Sequence, residues 1–199
     1  MRRSIAALKP VFAVMLLAAG MMMAGCATTA GQSASSGQNA VPMSDKELAL
    51  FNQAMAKIAA QKYQAGIDLL DQLVSSNRKS AVPFINMALA NEKLDKLEAA
   101  EKNLKTALDV EPDNPVANNE YGLLLRKQGK FDQARSVYEK ILKKYPNFAL
   151  ANKNLGILCD IYLRDYQCAL KAYQAYSAAV PDDEKAKMWV TDMQYRTKK

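Results

Sequence analysis

The 199-residue chain has no histidine, one tryptophan and three cysteines, at positions 26, 159 and 168. Without histidine the usual general base and the commonest metal ligand are missing, so hydrolytic triads and zinc sites would need unusual substitutes. No glycine-rich phosphate loop, serine nucleophile motif or metal-ligand spacing is present. Acid pairs such as Asp68 with Asp71 and Glu98 with Glu101 are interspersed with lysines at helical spacing, the pattern of a solvated face. Basic runs with interleaved aromatics are lacking too, which argues against nucleic acid as a partner. No catalytic residue, metal site or cofactor is therefore assigned, and the chain reads as non-enzymatic.

The formal charge of +7 falls to +4 when Arg2, Arg3 and Lys9 are set aside. These three precede an apolar run from Val11 to Ala24, so residues 1–25 read as a basic region, a hydrophobic region and a small-residue cleavage site. The run is shorter than the roughly 20 residues that cross a bilayer, which disfavours a retained membrane helix. Met23-Ala24-Gly25-Cys26 resembles the lipobox of bacterial lipoproteins. That resemblance implies cleavage before Cys26, lipid modification of its thiol and membrane attachment through the acyl chains. Ala27 resembles the signal that sends such proteins to the outer membrane, with the domain facing the periplasm. An ordinary cleaved signal with a free Cys26 thiol is the alternative. Residues 26–43 are rich in Ala, Ser, Thr, Gly and Gln without apolar period, and read as a flexible tether.

Beyond the tether the apolar residues recur every 34 positions. In 115–148, Tyr121-Gly122, Phe131, Ala134, Tyr138 and Pro146 are spaced as in a tetratricopeptide repeat, and weaker copies occupy 47–80, 81–114 and 149–181. Small residues fall in register: Ala54, Ala88, Gly122 and Gly156 in the first helices, and Gly66, Ala100, Ala134 and Ala169 in the second. Antiparallel helices approach closely only where side chains are small. The resemblance implies an all-α solenoid over 44–181, about four helix-turn-helix repeats, with residues 182–199 forming a capping helix and tail.

Local signals agree with this register. Ser44 and Glu47 have capping-box spacing, Asn114-Pro115 pairs an N-cap with a proline at the first helical position, and Gly129 marks a tight turn. In the second repeat, helices are expected over about 81–94 and 97–110. The first repeat has Gln61 where a turn glycine is usual, and the fourth is one residue longer, which predicts a wider turn within Tyr162–Asp165. In the last helix Ala186, Trp189, Val190 and Met193 form one apolar stripe, so Trp189 is expected to pack against the last repeat.

Cys159 and Cys168 lie on either side of the lengthened turn, where antiparallel helices bring Cα atoms within disulfide range; a structural disulfide and two buried thiols are both open. The family resemblance further implies a concave groove lined by the first helices at their second, fifth, ninth, twelfth and thirteenth positions. Carried over, these are Leu48, Phe51, Met55 and Ile58; Val82, Ile85, Leu89, Glu92 and Lys93; Val116, Asn119, Leu123, Arg126 and Lys127; Leu150, Lys153, Ile157, Asp160 and Ile161. This predicts an apolar floor with a basic edge at Lys93, Arg126, Lys127 and Lys153, suited to an amphipathic helix or an extended segment with acidic flanks. The carboxylate-binding mode of some family members is disfavoured, because Phe51 and Met55 stand where it needs lysine and asparagine.

The expected function is a protein-binding scaffold or assembly factor of the bacterial envelope. Its partner would be an envelope protein in the groove, with the membrane held through the lipid. Type IV pilus assembly lipoproteins, secretion pilotins and repeat proteins of TonB-type complexes share this plan. The alternative is an accessory binder of peptidoglycan or lipid, including a lipoprotein activator of wall synthesis.

Overall fold

The computed structural model describes residues 43–76 and 79–198. The signal segment, Cys26 and the tether lie outside the described residues. Described residues form helices α1 (Asp45–Ala59), α2 (Tyr63–Ser76), α3 (Val82–Lys93), α4 (Leu97–Val110), α5 (Pro115–Lys127), α6 (Phe131–Lys144), α7 (Ala149–Ile157), α8 (Tyr166–Ala179) and α9 (Glu184–Arg196), with no strand among them. The architecture is an all-α solenoid. Pairs α1/α2, α3/α4, α5/α6 and α7/α8 are antiparallel hairpins stacked in order, and α9 packs on α8.

Capping starts several of these helices. Ser44 and Glu47 form a reciprocal capping box on α1, while Asn114 accepts from Ala117 N–H at 2.9 Å ahead of Pro115. Asp183 accepts from the N–H groups of Lys185 and Ala186 and so opens α9. Each satisfies donors that the first helical turn leaves without an intrahelical partner.

Each hairpin turns through one left-handed residue: Gln61 (φ 60°), Asp95 (57°), Gly129 (75°) and Arg164 (53°). In the first three, the next N–H reaches back five residues, as from Lys96 to Asn91 O at 2.9 Å. In the fourth, Asp165 N–H reaches back six, to Cys159 O at 2.8 Å. Contrary to the expectation from the sequence, the added residue does not widen the turn. It is taken up inside the helix, which continues past Ile157 as a π-helix, Leu158–Leu163. One residue more per turn absorbs the insertion and leaves the left-handed turn unchanged.

Packing explains the small residues. Ala54, Ala88, Ala100, Ala134 and Ala169 are fully buried. A Cβ added to Gly122 would lie 2.7 Å from the Tyr138 ring, and one added to Gly156 would lie 2.4 Å from the Tyr173 ring. The first repeat differs for a related reason. Ala49, Gln53 and Ala56 of α1 are exposed, whereas their counterparts in α7 and the π-helix that continues it, Ala151, Leu155 and Leu158, are buried against the preceding repeat. With no preceding repeat among the described residues, α1 has small or polar residues there.

The core runs the length of the array in two main parts. Leu70, Leu73, Phe84 and Met87 anchor the first half, and Tyr138, Ile141, Leu158, Tyr173 and Met193 the second. Trp189 packs at 5.2 Å from Tyr173 and 6.2 Å from Tyr176, so α9 covers the last hairpin as a cap does. Cys159 and Cys168 are joined by a disulfide with Cα atoms 5.8 Å apart, linking the π-helical end of α7 to the first turn of α8.

Candidate protein-interaction surface

The first helices α1, α3, α5 and α7 present one face to solvent throughout the array. Numbered from the start of each repeat, it comprises positions two, six, nine and thirteen. Two columns are apolar. Leu48, Val82, Val116 and Leu150 form the first, with Leu48, Val116 and Leu150 among the exposed large apolar residues; Met55, Leu89, Leu123 and Ile157 form the second, with Leu89 similarly exposed. Between them runs a polar column, Asn52, Asn86, Glu120 and Asn154, each exposed or half-buried. The fourth column is Ala59, Lys93, Lys127 and Ile161, all exposed. Spacings of four, three and four residues place these positions on one side of a helix.

The polar column is held in place by bonds within the array. Asn86 donates to Val82 O at 2.9 Å, and Asn154 donates to Asn119 Oδ1 at 2.9 Å across the α5/α7 junction. Glu120 accepts from Asn119 at 2.9 Å. Burial pushes the Glu120 carboxyl above the usual carboxylate range and the charge on Glu92 pushes it the same way, against the pull of Asn119 and Lys127.

Positions five and twelve lie elsewhere than the sequence predicted. Ile85 and Asn119 are 5% and 2% exposed, so both belong to packing between first helices and not to an open groove. Ile58 leans against Gly66, and Phe51 packs on the core of the first half. The basic edge is also largely committed within the chain. Lys127 pairs with Glu92 of the preceding repeat, Arg126 lies over the Tyr162 ring at 5.8 Å, and Lys153 lies over Tyr176 and Trp189 at 5.5 and 5.7 Å. Lys93 remains exposed on the face. The polar twelfth-position residues Glu92, Arg126 and Asp160 are instead half-buried. Tyr173 donates to Asp160 at 3.5 Å, Arg196 reaches the same carboxylate at 3.5 Å, and Glu92 Oε1, Arg126 Nη1 and Tyr138 Oη are buried without a hydrogen-bond partner among the described residues. Burial pushes the Tyr138 hydroxyl far above its ordinary range.

The polar column escaped the sequence reading because the carried-over positions omit it. Its signal was present: the sixth position is four residues after one exposed apolar column and three before the other, which is a single helix face. Among the described residues no group of three His, Cys, Asp or Glu side chains converges as a metal site would, and no helix is long and apolar enough to cross a membrane.

A solenoid of stacked helical hairpins with such a face defines a repeat protein built to bind other proteins. Family models described as tetratricopeptide repeat match residues 48–80, 85–149 and 121–159, which together exceed half the chain; the chain belongs to the tetratricopeptide repeat family. Among solved structures it is similar to MamA from Desulfovibrio magneticus RS-1 (TM-score 0.65, 20% identity, 79% of this chain and 88% of that one). It is similar also to Pseudomonas aeruginosa pilF (0.67, 15%, 76% and 69%). A third is YrrB, described as a TPR protein with an unusual peptide-binding site (0.59, 19%, 71% and 73%). At these identities the likeness is one of fold. The mouse BBSome complex member BBS4 is 26% identical over 106 residues, 53% of this chain, and the chain spans about a fifth of that relative's length.

Proposed function

We propose that this chain is a non-enzymatic adaptor of the bacterial envelope, held to the outer membrane by lipid on Cys26, that binds an extended segment of another envelope protein along the exposed face of α1, α3, α5 and α7. Membership of the repeat family supports the protein-binding part, and the lipobox-like Met23-Ala24-Gly25-Cys26 supports the anchor. The observation that carries the choice of an extended partner is the polar column between two apolar ones. An amphipathic helix has its backbone groups already paired and gains nothing from a row of carboxamides, whereas an extended backbone needs a donor and an acceptor at intervals. Packed helices lie about 8–10 Å apart and an extended chain advances about 3.3 Å per residue, so one polar side chain per repeat, a carboxamide in all but the third, meets about every third residue. Side chains on either flank then rest on the columns of Leu48, Val116 and Leu150 and of Met55, Leu89 and Leu123. With Lys127 and Arg126 engaged internally and Glu120 in the polar column, the face no longer favours acidic flanks on the partner.

Affinity capture with the full-length chain in detergent, from envelopes of the organism that makes it, tests this reading. Leu89→Glu and Asn86→Ala should each release a protein that the wild type retains. Retention of every protein by both variants, with peptidoglycan or lipid as the remaining co-purifying material, contradicts it. Cys26→Ser should move the chain from the membrane fraction to the soluble one, and unchanged fractionation removes the anchor.

A further inference from the structure

The second helices α6 and α8 leave between them, on the side away from the face just described, a cavity of about 630 Å³. The corresponding junction of α2 and α4 holds one of about 500 Å³. By register, Met87 lines the first junction and Leu155 the last, and Tyr121 takes that place at the middle one. On α8 the walls are cut back further: Ala172 and Ala175 stand where α6 has Val137 and Lys140. The volume lies within the range of ordinary ligand pockets.

Charge separates the two cavities. The α2/α4 cavity carries one acid and one base, Asp71 and Lys102. The α6/α8 cavity carries Arg135, Lys143 and Lys171 with Glu139. Arg135 is neutralised by Glu139 at 2.8 Å and Asp165 at 2.9 Å, whereas Lys143 and Lys171 are exposed, on opposite lips, and have no partner among the described residues. The walls are cross-linked. The Arg135–Asp165 pair ties α6 to the start of α8, and Cys168, itself in the wall, is bonded to Cys159 of the helix beneath. A groove held this way loses little freedom when it is filled.

We propose that the α6/α8 groove is a second docking site, for an acidic segment of a partner protein that places an aliphatic side chain in the cavity and carboxylates on Lys143 and Lys171. Two uncommitted cations around an apolar hollow are complementary to such a segment. A lipid surface fits less well. The hollow is recessed, Glu139 stands on its rim, and the exposed large apolar residues that could enter a bilayer lie on first helices, the π-helix and α9, with none on α6 or α8. This site does not depend on the reading of the opposite face.

Fluorescence anisotropy of a short labelled peptide, a leucine flanked by glutamates, against the full-length chain in neutral detergent tests it. The expected result is binding that weakens with salt, is about tenfold weaker in Lys143→Glu/Lys171→Glu, is lost in Ala175→Trp, and is unchanged in Leu89→Glu. Should Ala175→Trp lose its helical circular dichroism, the lysine variant, altered only at exposed positions, decides. Absence of binding, or equal binding of the same peptide with lysines for glutamates, overturns the proposal. So does loss in Leu89→Glu with retention in the lysine variant, which puts the peptide on the other face. Capture of the wild type but not the lysine variant by phosphatidylglycerol vesicles, with no peptide binding, reassigns the cations to a membrane and equally overturns it.

Discussion

At the crossing of the two helices of a hairpin, the first two repeats place Ala54 in register with Leu70 and Ala88 with Leu104, whereas the last two place Gly122 against Tyr138 and Gly156 against Tyr173. Both pairs fill the same space, and all four partners on the second helices are buried. The difference lies in where the larger side chain ends. A leucine stops in the core. A tyrosine carries a hydroxyl past the first helix to its twelfth position, so Tyr173 meets Asp160 and the Tyr138 hydroxyl lies near Arg126 and Glu120. The second half thus places tyrosine hydroxyls between its two helical layers, that of Tyr173 bonded to Asp160, and among the described residues it alone has the π-helix and the disulfide. The first half is held by apolar packing. A partner would meet one solvent face that is continuous across both, laid on halves of different construction.

Exchanging the pairs tests this contrast with the largest expected effects. Gly156→Ala should cost about 2–3 kcal/mol, because the new Cβ enters the Tyr173 ring with no space to yield. Gly122→Ala should behave alike, and adding Tyr138→Leu should recover much of the loss by restoring the pair used in the first half. Urea denaturation of the wild type, Gly122→Ala, Tyr138→Leu and the double variant gives the coupling; additive losses would dissolve the pairing. Next, reduction of Cys159–Cys168, or a double alanine substitution there, should destabilise the chain by about 2.5 kcal/mol, the loop-closure entropy of so short a loop. Hydrogen exchange should rise in α7, α8 and α9 and stay unchanged in α1 to α3.

Two carboxylates give smaller effects of opposite sign. Glu101 accepts from Lys105, Gln128 and Lys130 around the junction of the halves, and these bonds, with Lys105 foremost, pull its carboxyl down to about 2. A depressed folded value adds stability above the ordinary value near 4.5, lost as pH falls towards about 2. Glu101→Gln should therefore lower stability by about 1 kcal/mol at pH 7, with the deficit shrinking in melts below about pH 4. Glu120 is the reverse case: burial raises its carboxyl, so its ionised form costs stability at neutral pH and the cost fades as pH falls. Glu120→Gln should raise the melting temperature slightly at pH 7 and leave it unchanged in acid.

Much of this was legible in the chain itself. The 34-residue period, the eight small residues and the caps at Ser44 and Asn114 specify hairpins and register. Each follows from local geometry: close helix approach, unpaired N–H groups, a left-handed turn. The wider turn expected in Tyr162–Asp165 failed because an inserted residue can be absorbed wherever the hydrogen-bond register shifts most cheaply. The end of a helix under a fixed left-handed cap offers that place. The groove positions failed in part because Ile85 and Asn119 face a neighbouring first helix, a direction that depends on how repeats stack. Asn86 and Asn154 could have been found by asking which residues share a helix face with the exposed apolar columns.

The most direct test of the binding face is site-specific photo-crosslinking in the cell that makes the protein. A photoreactive residue is placed at Asn86 or Leu123 on the first-helix face, or at Gln53 on the exposed end of the array. The account predicts one partner adduct shared by Asn86 and Leu123 and absent from Gln53. Adducts from Gln53 alone, or none from Asn86 and Leu123, would contradict it.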